Sequence, residues 1–379
     1  MVFRTGLDSG EESYRIEIII VHLSTGAHHT AVTEPVIHVT ESHHVVNYSK
    51  MEIYDDMLGI WISRCRMIND IPYDGFYLYD WKAGILKVVC TIFCPSAFAL
   101  FLLQNRDYPA TSYGDFLLLS SDVFLLVNIR EWCFELYSSQ GSNEGGTRLL
   151  KLMLPPLSPG YHAFNLACRN SSLTSSTVIE SRRNDSLLPG DSLPFHVAAD
   201  NAIALFKFSI SDHRFAFPYV FVTHRRTLLS TLSSPIVAQR GHISWQDWGP
   251  PVSRWMPSPL DVYRATITMG QRFASIQPAH EELAPICIFD FNPFLVRRLQ
   301  LSPNSIESPV SVTRVVSGRQ LLDASLPGGM FTIERTPFVG EVWSELPYVE
   351  CSSKETYDYS YVFIDEERII GMKVRRQLL

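Results

Sequence analysis

The sequence has 379 residues, of which 46% are hydrophobic and 12% aromatic, and its formal net charge is −7. This composition excludes a disordered chain, because it supplies enough apolar surface for a large core. The acidic balance argues against nucleic-acid binding, which usually requires a basic face, so we expect no nucleic acid among the partners.

The chain begins with a polar stretch that has no apolar region of the kind a secretory signal needs. We predict a disordered N-terminal tail over 1–13 and a single domain over 14–379. From Tyr14 onward apolar and charged residues alternate, with Tyr14, Ile16 and Ile18 on one face of an extended chain. This alternation predicts a half-buried strand.

A long apolar run extends from Val88 to Leu103 and contains Pro95 near its middle. It is shorter than the roughly 20 residues that a helix needs to cross a bilayer. We therefore predict two buried strands that meet at a proline turn, and no membrane among the partners.

Five segments share one pattern: an apolar run, a short polar turn that often begins with Asp, and a second apolar run. The pattern predicts β-hairpins that are buried on both faces, as in stacked sheets. Asp80, Asp290 and Asp365 stand at the same place in their segments, where a carboxylate can bond the turn backbone. The five segments begin at Phe76, Leu117, Tyr219, Ile286 and Tyr361.

Helical signals are scarce, and the first two segments are spaced like propeller blades of roughly 40–45 residues. We predict an all-β, β-propeller-like fold of roughly six or seven blades of antiparallel strands. An alternative is an unstable fragment whose first blade is incomplete. The polar stretches 138–147 and 170–191 are predicted to be long surface loops inserted in the domain. For 170–191 the alternative is a linker between two domains, and the loop is favoured because hairpins of the same kind lie on both sides.

The seven cysteines include no C-x-x-C pair, and most lie within apolar runs. This usage is typical of buried free thiols in a reducing compartment, and it predicts a cytoplasmic or nuclear protein. The cysteines are Cys65, Cys90, Cys94, Cys133, Cys168, Cys287 and Cys351.

Histidines are concentrated near the start of the chain and raise the question of a metal site. Adjacent histidines on a strand point to opposite faces, and no cysteine or carboxylate stands beside them at zinc-like spacing. We predict no metal site, and the absence of nucleophile and phosphate-binding motifs predicts no catalytic residue, no cofactor and no enzyme. The histidines are His22, His28, His29, His38, His43 and His44.

The densest aromatic cluster is W-x-x-W-G-P, formed by Trp245 and Trp248, followed by Arg254 and Trp255. As an exposed patch these four residues would form a protein-binding hot spot, because Trp and Arg dominate such interfaces. As structure they would be aromatic packing between sheets, with a Gly-Pro turn that ends a strand. The structural alternative is favoured because large aromatic side chains are mostly buried.

The motifs, taken in order, resemble those of mushroom-type fungal F-box-domain proteins. They are YDWKAG (79–84), SDVFLL (121–126), WxxWGPxxxR (245–254), GQRF (270–273), IFDFNPxxVRR (288–298), LPY (346–348) and YVFIDEERIIG (361–371). The resemblance implies a propeller-like region that captures protein substrates for a cullin–RING ubiquitin ligase.

The helical F-box itself has no counterpart before the strand at Tyr14, so we expect binding to protein substrates but not to the ligase adaptor. The competing class is an enzyme with a hydrolase or lyase site in a propeller's central channel. Converging carboxylates or histidines with perturbed pKa values would favour the enzyme. Exposed aromatic and arginine side chains would favour binding.

Overall fold

The computed structural model describes residues 2–7, 14–21, 24–42, 46–64, 73–93, 113–140, 146–170, 201–212, 216–234, 241–258, 268–276, 283–302, 310–322, 336–365 and 368–373. Within these ranges the chain forms 25 strands and three α-helices. The prediction of an all-β protein is confirmed at this level. The chain divides into two compact units, Met1–Leu150 and Lys151–Leu379. The prediction of a single domain over 14–379 stays a prediction.

The first unit contains three antiparallel sheets. Sheet A has the order β1-β2-β3, sheet B is the consecutive meander β4-β5-β6-β7, and sheet C contains β8, β9 and β10. The strands are β1 (Val2–Leu7), β2 (Tyr14–Ile19), β3 (Val36–Ser42), β4 (Val46–Tyr54), β5 (Met57–Arg64), β6 (Tyr73–Asp80), β7 (Ile85–Phe93), β8 (Tyr113–Leu118), β9 (Val123–Asn128), β10 (Cys133–Ser138) and β11 (Thr147–Met153), the last of which crosses into the second unit.

The second unit contains sheet D, in the order β12-β13-β14-β16, and sheet E, in the order β17-β18-β19-β23-β20. The two-stranded pair β21–β22 and the short hairpin β24–β25 complete it, and β15 pairs in parallel with β11. The strands are β12 (His162–Asn170), β13 (Ile203–Ser211), β14 (Ala216–His224), β15 (His242–Ile243), β16 (Ser253–Pro257), β17 (Thr268–Met269), β18 (Arg272–Ile276), β19 (Ala284–Asp290), β20 (Ser311–Val316), β21 (Gln320–Leu321), β22 (Trp343–Ser344), β23 (Tyr348–Tyr357), β24 (Tyr361–Ile364) and β25 (Ile369–Met372). The helices are α1 (Arg225–Ser230), α2 (Trp245–Trp248) and α3 (Pro293–Leu301).

Sheet B is covered on both faces. One face packs against sheet A, where Ile16 and Ile18 join Leu58 and other apolar residues in a single buried cluster. On the other face, the ring of Phe76 lies 4.8 Å from the ring of Phe116 on sheet C. This arrangement explains why the strands of sheet B are apolar on both sides.

The sheets of the second unit are also stacked. Leu205 and Val222 of sheet D share a buried cluster with Phe273 and Phe289 of sheet E. The opposite face of sheet E packs against the β24–β25 hairpin, and Ile286 belongs to that cluster. Both units therefore bury strands between neighbouring sheets, as the doubly apolar runs predict.

Three of the five predicted hairpins are confirmed: β6–β7, β8–β9 and β24–β25. The predicted role of the three aspartates is confirmed as well, because each carboxylate accepts a bond from a backbone amide of its turn. Asp80 accepts from Ala83, Asp290 from Asn292, and Asp365 from Arg368.

Two predicted hairpins are wrong, because the second half of each segment is a helix. After β14 the sequence has no Gly, Asn or Asp to form a tight turn, and the chain continues into α1. After β19 the side chain of Asn292 accepts bonds from the amides of Phe294 and Leu295, and Pro293 occupies the first helical position of α3. Both features start helices.

The N-terminal segment also differs from the prediction. Val2–Leu7 is strand β1 and pairs with β2, where a disordered tail over 1–13 was expected. The pairing places Thr5 opposite Ile16 and extends sheet A by one strand. An available strand edge at β2 outweighs the polar composition of the segment, since β pairing depends strongly on the neighbouring strand.

The apolar run from Val88 to Leu103 is described only as far as Phe93, where it forms part of β7. The rest of that run, and most of the predicted loops 138–147 and 170–191, lie outside the described residues. None of the helices in the described ranges has the length and hydrophobicity that a membrane crossing requires.

The five cysteines within the described ranges are free thiols. Cys133, Cys168 and Cys287 are buried, and Cys90 and Cys351 are half-buried. The prediction of free thiols is confirmed for these residues. Burial raises the pKa of Cys90 to about 11, so this thiol stays protonated at neutral pH.

Candidate functional site: a buried carboxylate and an exposed strand edge

The strongest concentration of polar chemistry in the first unit surrounds Glu135 on β10, a carboxylate that is only 1% exposed. Its Oε2 accepts hydrogen bonds from the hydroxyl groups of Tyr113, at 2.8 Å, and Tyr137, at 2.7 Å. The two hydroxyl oxygens lie 2.8 Å from each other. Tyr137 and Glu135 stand two residues apart on one strand and therefore share a face.

The other oxygen of Glu135, Oε1, is bonded as well. It accepts from the amide Nδ2 of Asn128 at 3.4 Å and contacts the Cys133 thiol at 4.0 Å. The guanidinium of Arg148, which is half exposed, lies 3.7 Å away. A buried carboxylate is costly unless its oxygens are bonded, and here both oxygens have donors. Glu135 is therefore a buried carboxylate whose two oxygens are both hydrogen-bonded within the chain.

The β9–β10 turn holds this network in place. The side chain of Asn128 accepts a bond from the Glu131 amide at 2.9 Å while its own amide reaches Glu135. Trp132, at the end of the turn, has φ +54°, a left-handed conformation that is uncommon for a large side chain. Its ring is buried, and this packing stabilises the turn.

Burial raises the pKa values of both tyrosines well above their usual range, and the bond and charge between Tyr113 and Tyr137 raise that of Tyr113 further. For Tyr137, burial is again the main cause of the raised pKa; the contact with Tyr113 lowers this pKa, and the bond to Glu135 raises it. Both phenols therefore remain protonated at neutral pH. They act as hydrogen-bond donors and not as general bases.

Glu131, Cys133 and Glu135 bring one ligand atom each to within 4.8 Å of one another, and they are the only such group in the part of the chain described. Sequence analysis missed this group, in which Cys133 and Glu135 stand at alternate positions of β10 and Glu131 belongs to the turn before it. A metal ion here would have to replace the bonds that Glu135 already accepts. The arrangement as it stands fits a structural carboxylate better than a metal centre.

The histidines considered at the start of the chain are dispersed. His38 contacts Glu17 at 3.0 Å, and His29 packs edge-on against Trp81. His28 is exposed. His22, His43 and His44 lie outside the described residues.

The four residues of the aromatic cluster lie inside the second unit. Trp245, Trp248 and Trp255 are buried, and so is Arg254. They do not form the exposed patch that the protein-binding alternative requires. The aromatic-packing alternative describes their contacts, since the rings of Trp245 and Trp255 both pack against Phe221.

Local geometry explains the W-x-x-W-G-P motif. The two tryptophans form α2, a single helical turn, and the indole of Trp248 donates to the carbonyl oxygen of Met153 at 2.8 Å. A Cβ on Gly249 would lie 2.0 Å from the ring of Trp245, so only glycine fits there. The Gly-Pro pair therefore follows a helical turn, and the expected strand end is wrong at this point.

Arg254 connects β16 to two other segments of the second unit. Its Nε donates to the carbonyl oxygen of Leu346 at 2.7 Å, and Nη1 donates to that of Ser344 at 3.1 Å. Nη1 and Nη2 also reach the Gln320 side chain and the Gly318 carbonyl oxygen. These bonds have a structural role, because the guanidinium is buried and holds three segments of the chain together.

Exposed apolar side chains occur on two successive elements of the second unit. On α3, Phe294 is 82% exposed and Leu301 is 75% exposed. At β20, Val310 is 70% exposed and Val312 is 58% exposed. Large apolar side chains exposed to water are available to a partner that covers them.

The comparisons with known proteins give no relative. No protein-family model matches the sequence, and neither the curated proteins nor the solved structures contain a significant match.

Proposed function

We propose that the protein is a protein–protein recognition module, similar in role to the substrate-recognition region of F-box proteins. Its sheets would be arranged as the blades of a propeller. Sheets B and D, each with four antiparallel strands and apolar residues on both faces, support this arrangement, because propeller blades are four-stranded sheets packed face to face. The recognised class of partner is protein.

The observation that carries the proposal is the exposure of large apolar side chains on α3 and on β20, namely Phe294, Leu301, Val310 and Val312. Exposure of these side chains to water is unfavourable, and a partner that covers them gains favourable free energy of binding. The Glu135 network supports recognition over the enzymatic alternative, because its carboxylate already accepts bonds from its own chain.

Affinity purification of the tagged full chain from its native cells, followed by mass spectrometry, tests the proposal. We expect specific proteins to be recovered with the wild type and lost with the double variant Phe294→Ser and Leu301→Ser. The matched control is Ile85→Ser, which changes a side chain 57% exposed in the first unit. This control should retain the partners.

Two outcomes would contradict the proposal: no specific protein recovered with the wild type, or equal recovery with both variants. The link to ubiquitin is tested in the same samples. If the module serves a cullin–RING ligase in the cytoplasm or nucleus, ubiquitin conjugates of the recovered partner should decline when the gene is deleted. Unchanged ubiquitin conjugates would contradict the link to a ligase but not the proposal that the protein recognises other proteins.

A further inference from the structure

Sheet E ends in a strand with an available edge. β20 pairs with β23 through Ser311–Val316, and among the described strands it has no neighbour on its other side. Edge strands present backbone N–H and C=O groups to which another extended chain can pair. The edge of β20 is therefore a possible template for a sixth strand.

The direction of the backbone groups follows from one hydrogen bond. The amide of Lys354 on β23 donates to the carbonyl oxygen of Val310 at 3.0 Å. In an antiparallel ladder, bonded and non-bonded pairs alternate, so the backbone groups of Val312 and Arg314 also point toward β23. Those of Ser311, Thr313 and Val315 point away from the sheet. This side of β20 offers three donors and three acceptors.

The side chains beside this edge form a row of defined chemistry. Val310, Val312 and Arg314 stand two residues apart and fall on one face of the strand. All three are exposed, and the guanidinium of Arg314 stays accessible although it pairs with Glu350. The row is apolar at two positions and positive at the third.

The edge strand itself is positive. The described residues 310–322 contain two arginines, Arg314 and Arg319, and no acidic residue, in a chain whose net charge is −7. Glu350, the partner of Arg314, lies on β23, on the inner side of the edge strand. Charge complementarity therefore favours an acidic occupant over a basic one.

We propose that the β20 edge binds an extended, acidic segment of a partner protein, which adds a strand to sheet E. Two apolar side chains of the segment would lie beside Val310 and Val312, and an acidic side chain would lie beside Arg314. Main-chain bonds to Ser311, Thr313 and Val315 would provide affinity, and the row of side chains would provide specificity. The inference rests on the proposed function and names the surface and the chemistry of its partner.

The test is a binding titration of the full chain with a short fluorescent peptide that carries Val, Val and Glu at alternate positions. The decisive variant is Thr313→Pro, which removes an outward N–H but leaves the bonds to β23 intact. Its matched control is Thr313→Ala, because both variants lose the same contact between Thr313 Oγ1 and Cys351 Sγ. We expect Thr313→Pro to bind about tenfold more weakly or worse, and Thr313→Ala to bind as the wild type does.

Arg314→Ala tests the charged position. We expect it to weaken the Glu peptide about tenfold, and we expect a Lys version of the peptide to bind the wild type poorly. If Thr313→Pro fails to fold, N-methylated peptides on the wild type replace it. Methylation of the peptide amides that face β20 should abolish binding, and methylation of the alternate amides should not.

Equal binding by Thr313→Pro and Thr313→Ala would overturn the edge proposal, as would equal binding of the Glu and Lys peptides. A concentration-dependent dimer that Thr313→Pro abolishes would also overturn it, because the occupant would then be a second copy of the chain. If Thr313→Pro and the wild type recover the same partners from cells in equal amounts, the binding site at the β20 edge is rejected, but the proposed function is not. Recovery of no partner at all would reject the proposed function itself.

Discussion

The hydroxyl group of Tyr113 on β8 donates a hydrogen bond to the carboxylate of Glu135 on β10, at 2.8 Å. The contact joins residues from two strands of sheet C that are not neighbours, since β9 lies between them. It is part of a buried network, so its loss would leave a charged group with fewer donors.

Tyr113→Phe is expected to lower the free energy of unfolding by about 1.5–3 kcal/mol, because it removes a bond to a buried carboxylate. Urea denaturation measures this change. Tyr357→Phe is the matched control, since it removes a bond from Tyr357 to the exposed Glu355 and should leave stability nearly unchanged. Equal losses of unfolding free energy in the two variants would show that the buried Glu135 network contributes no more to stability than an exposed hydrogen bond.

Alkaline pH is expected to destabilise the protein through its buried tyrosines. Burial raises the pKa of Tyr79 to about 12, and those of Tyr113, Tyr137 and Tyr219 are raised as well, from a reference value of 10.0. Their stabilising contribution is therefore complete below pH 10 and is lost as pH rises through the folded-state values. Phenolate absorbance should show these tyrosines titrating only as the protein unfolds. Reversible titration of every tyrosine near pH 10 in the folded protein would contradict this account.

Lys207 on β13 gives the opposite dependence on pH. Burial, and then the charge of Arg169, lower the pKa of Lys207 to about 8 from 10.5. Between these values the unfolded chain binds more protons, so the free energy of unfolding should rise with pH, by about 3 kcal/mol at most.

Lys207→Met removes the titrating group and should abolish that part of the rise, which denaturation at a series of pH values measures. The variant is expected to be at least as stable as the wild type at neutral pH, because a buried charge is replaced by an apolar side chain of similar length. Identical pH profiles for the variant and the wild type would disprove the lowered pKa.

Arg254→Lys is expected to destabilise the protein by about 2–4 kcal/mol, because a single ammonium group cannot reach the carbonyl oxygens of Leu346, Ser344 and Gly318 together. Thermal and urea unfolding measure the loss. Arg368→Lys is the control, since its pair with Asp365 is exposed and should contribute less than about 0.5 kcal/mol. A loss as small as that of the control would contradict the structural role of Arg254.

Sequence reasoning succeeded where the signal was local. The hairpins β6–β7 and β24–β25 follow from apolar runs around an Asp turn, and the carboxylates of Asp80 and Asp365 bond that turn as expected. Apolar residues on both sides of a strand also predicted stacked sheets correctly, because a strand buried on two faces has no polar side.

Sequence reasoning failed where a second local signal competed with the hairpin pattern. The segment IFDFNPFLV contains an Asx turn at Asp290, but Asn292 and Pro293 begin a helix two residues later. The combination of an N-cap residue with proline at the next position was present in the sequence and outweighs the apolar run after it.

The Glu135 network could not be predicted in full. The sequence spacing places Cys133 and Glu135 on one face of β10, yet Tyr113 lies more than one strand away and reaches Glu135 only through the register of sheet C. Exposure at the β20 edge is likewise a property of the sheet order, because β23 pairs with β20 although many residues separate them in the chain. Neither long-range pairing leaves a signal in a single sequence.

Amide hydrogen exchange along β20, with and without the Val-Val-Glu peptide, tests the central claim most directly. If the peptide adds a strand, the amides of Ser311, Thr313 and Val315 should gain protection, and those of Val312 and Arg314, already bonded to β23, should change little. This alternation is specific to strand addition. Uniform protection along β20, or protection confined to residues elsewhere in the chain, would contradict the account.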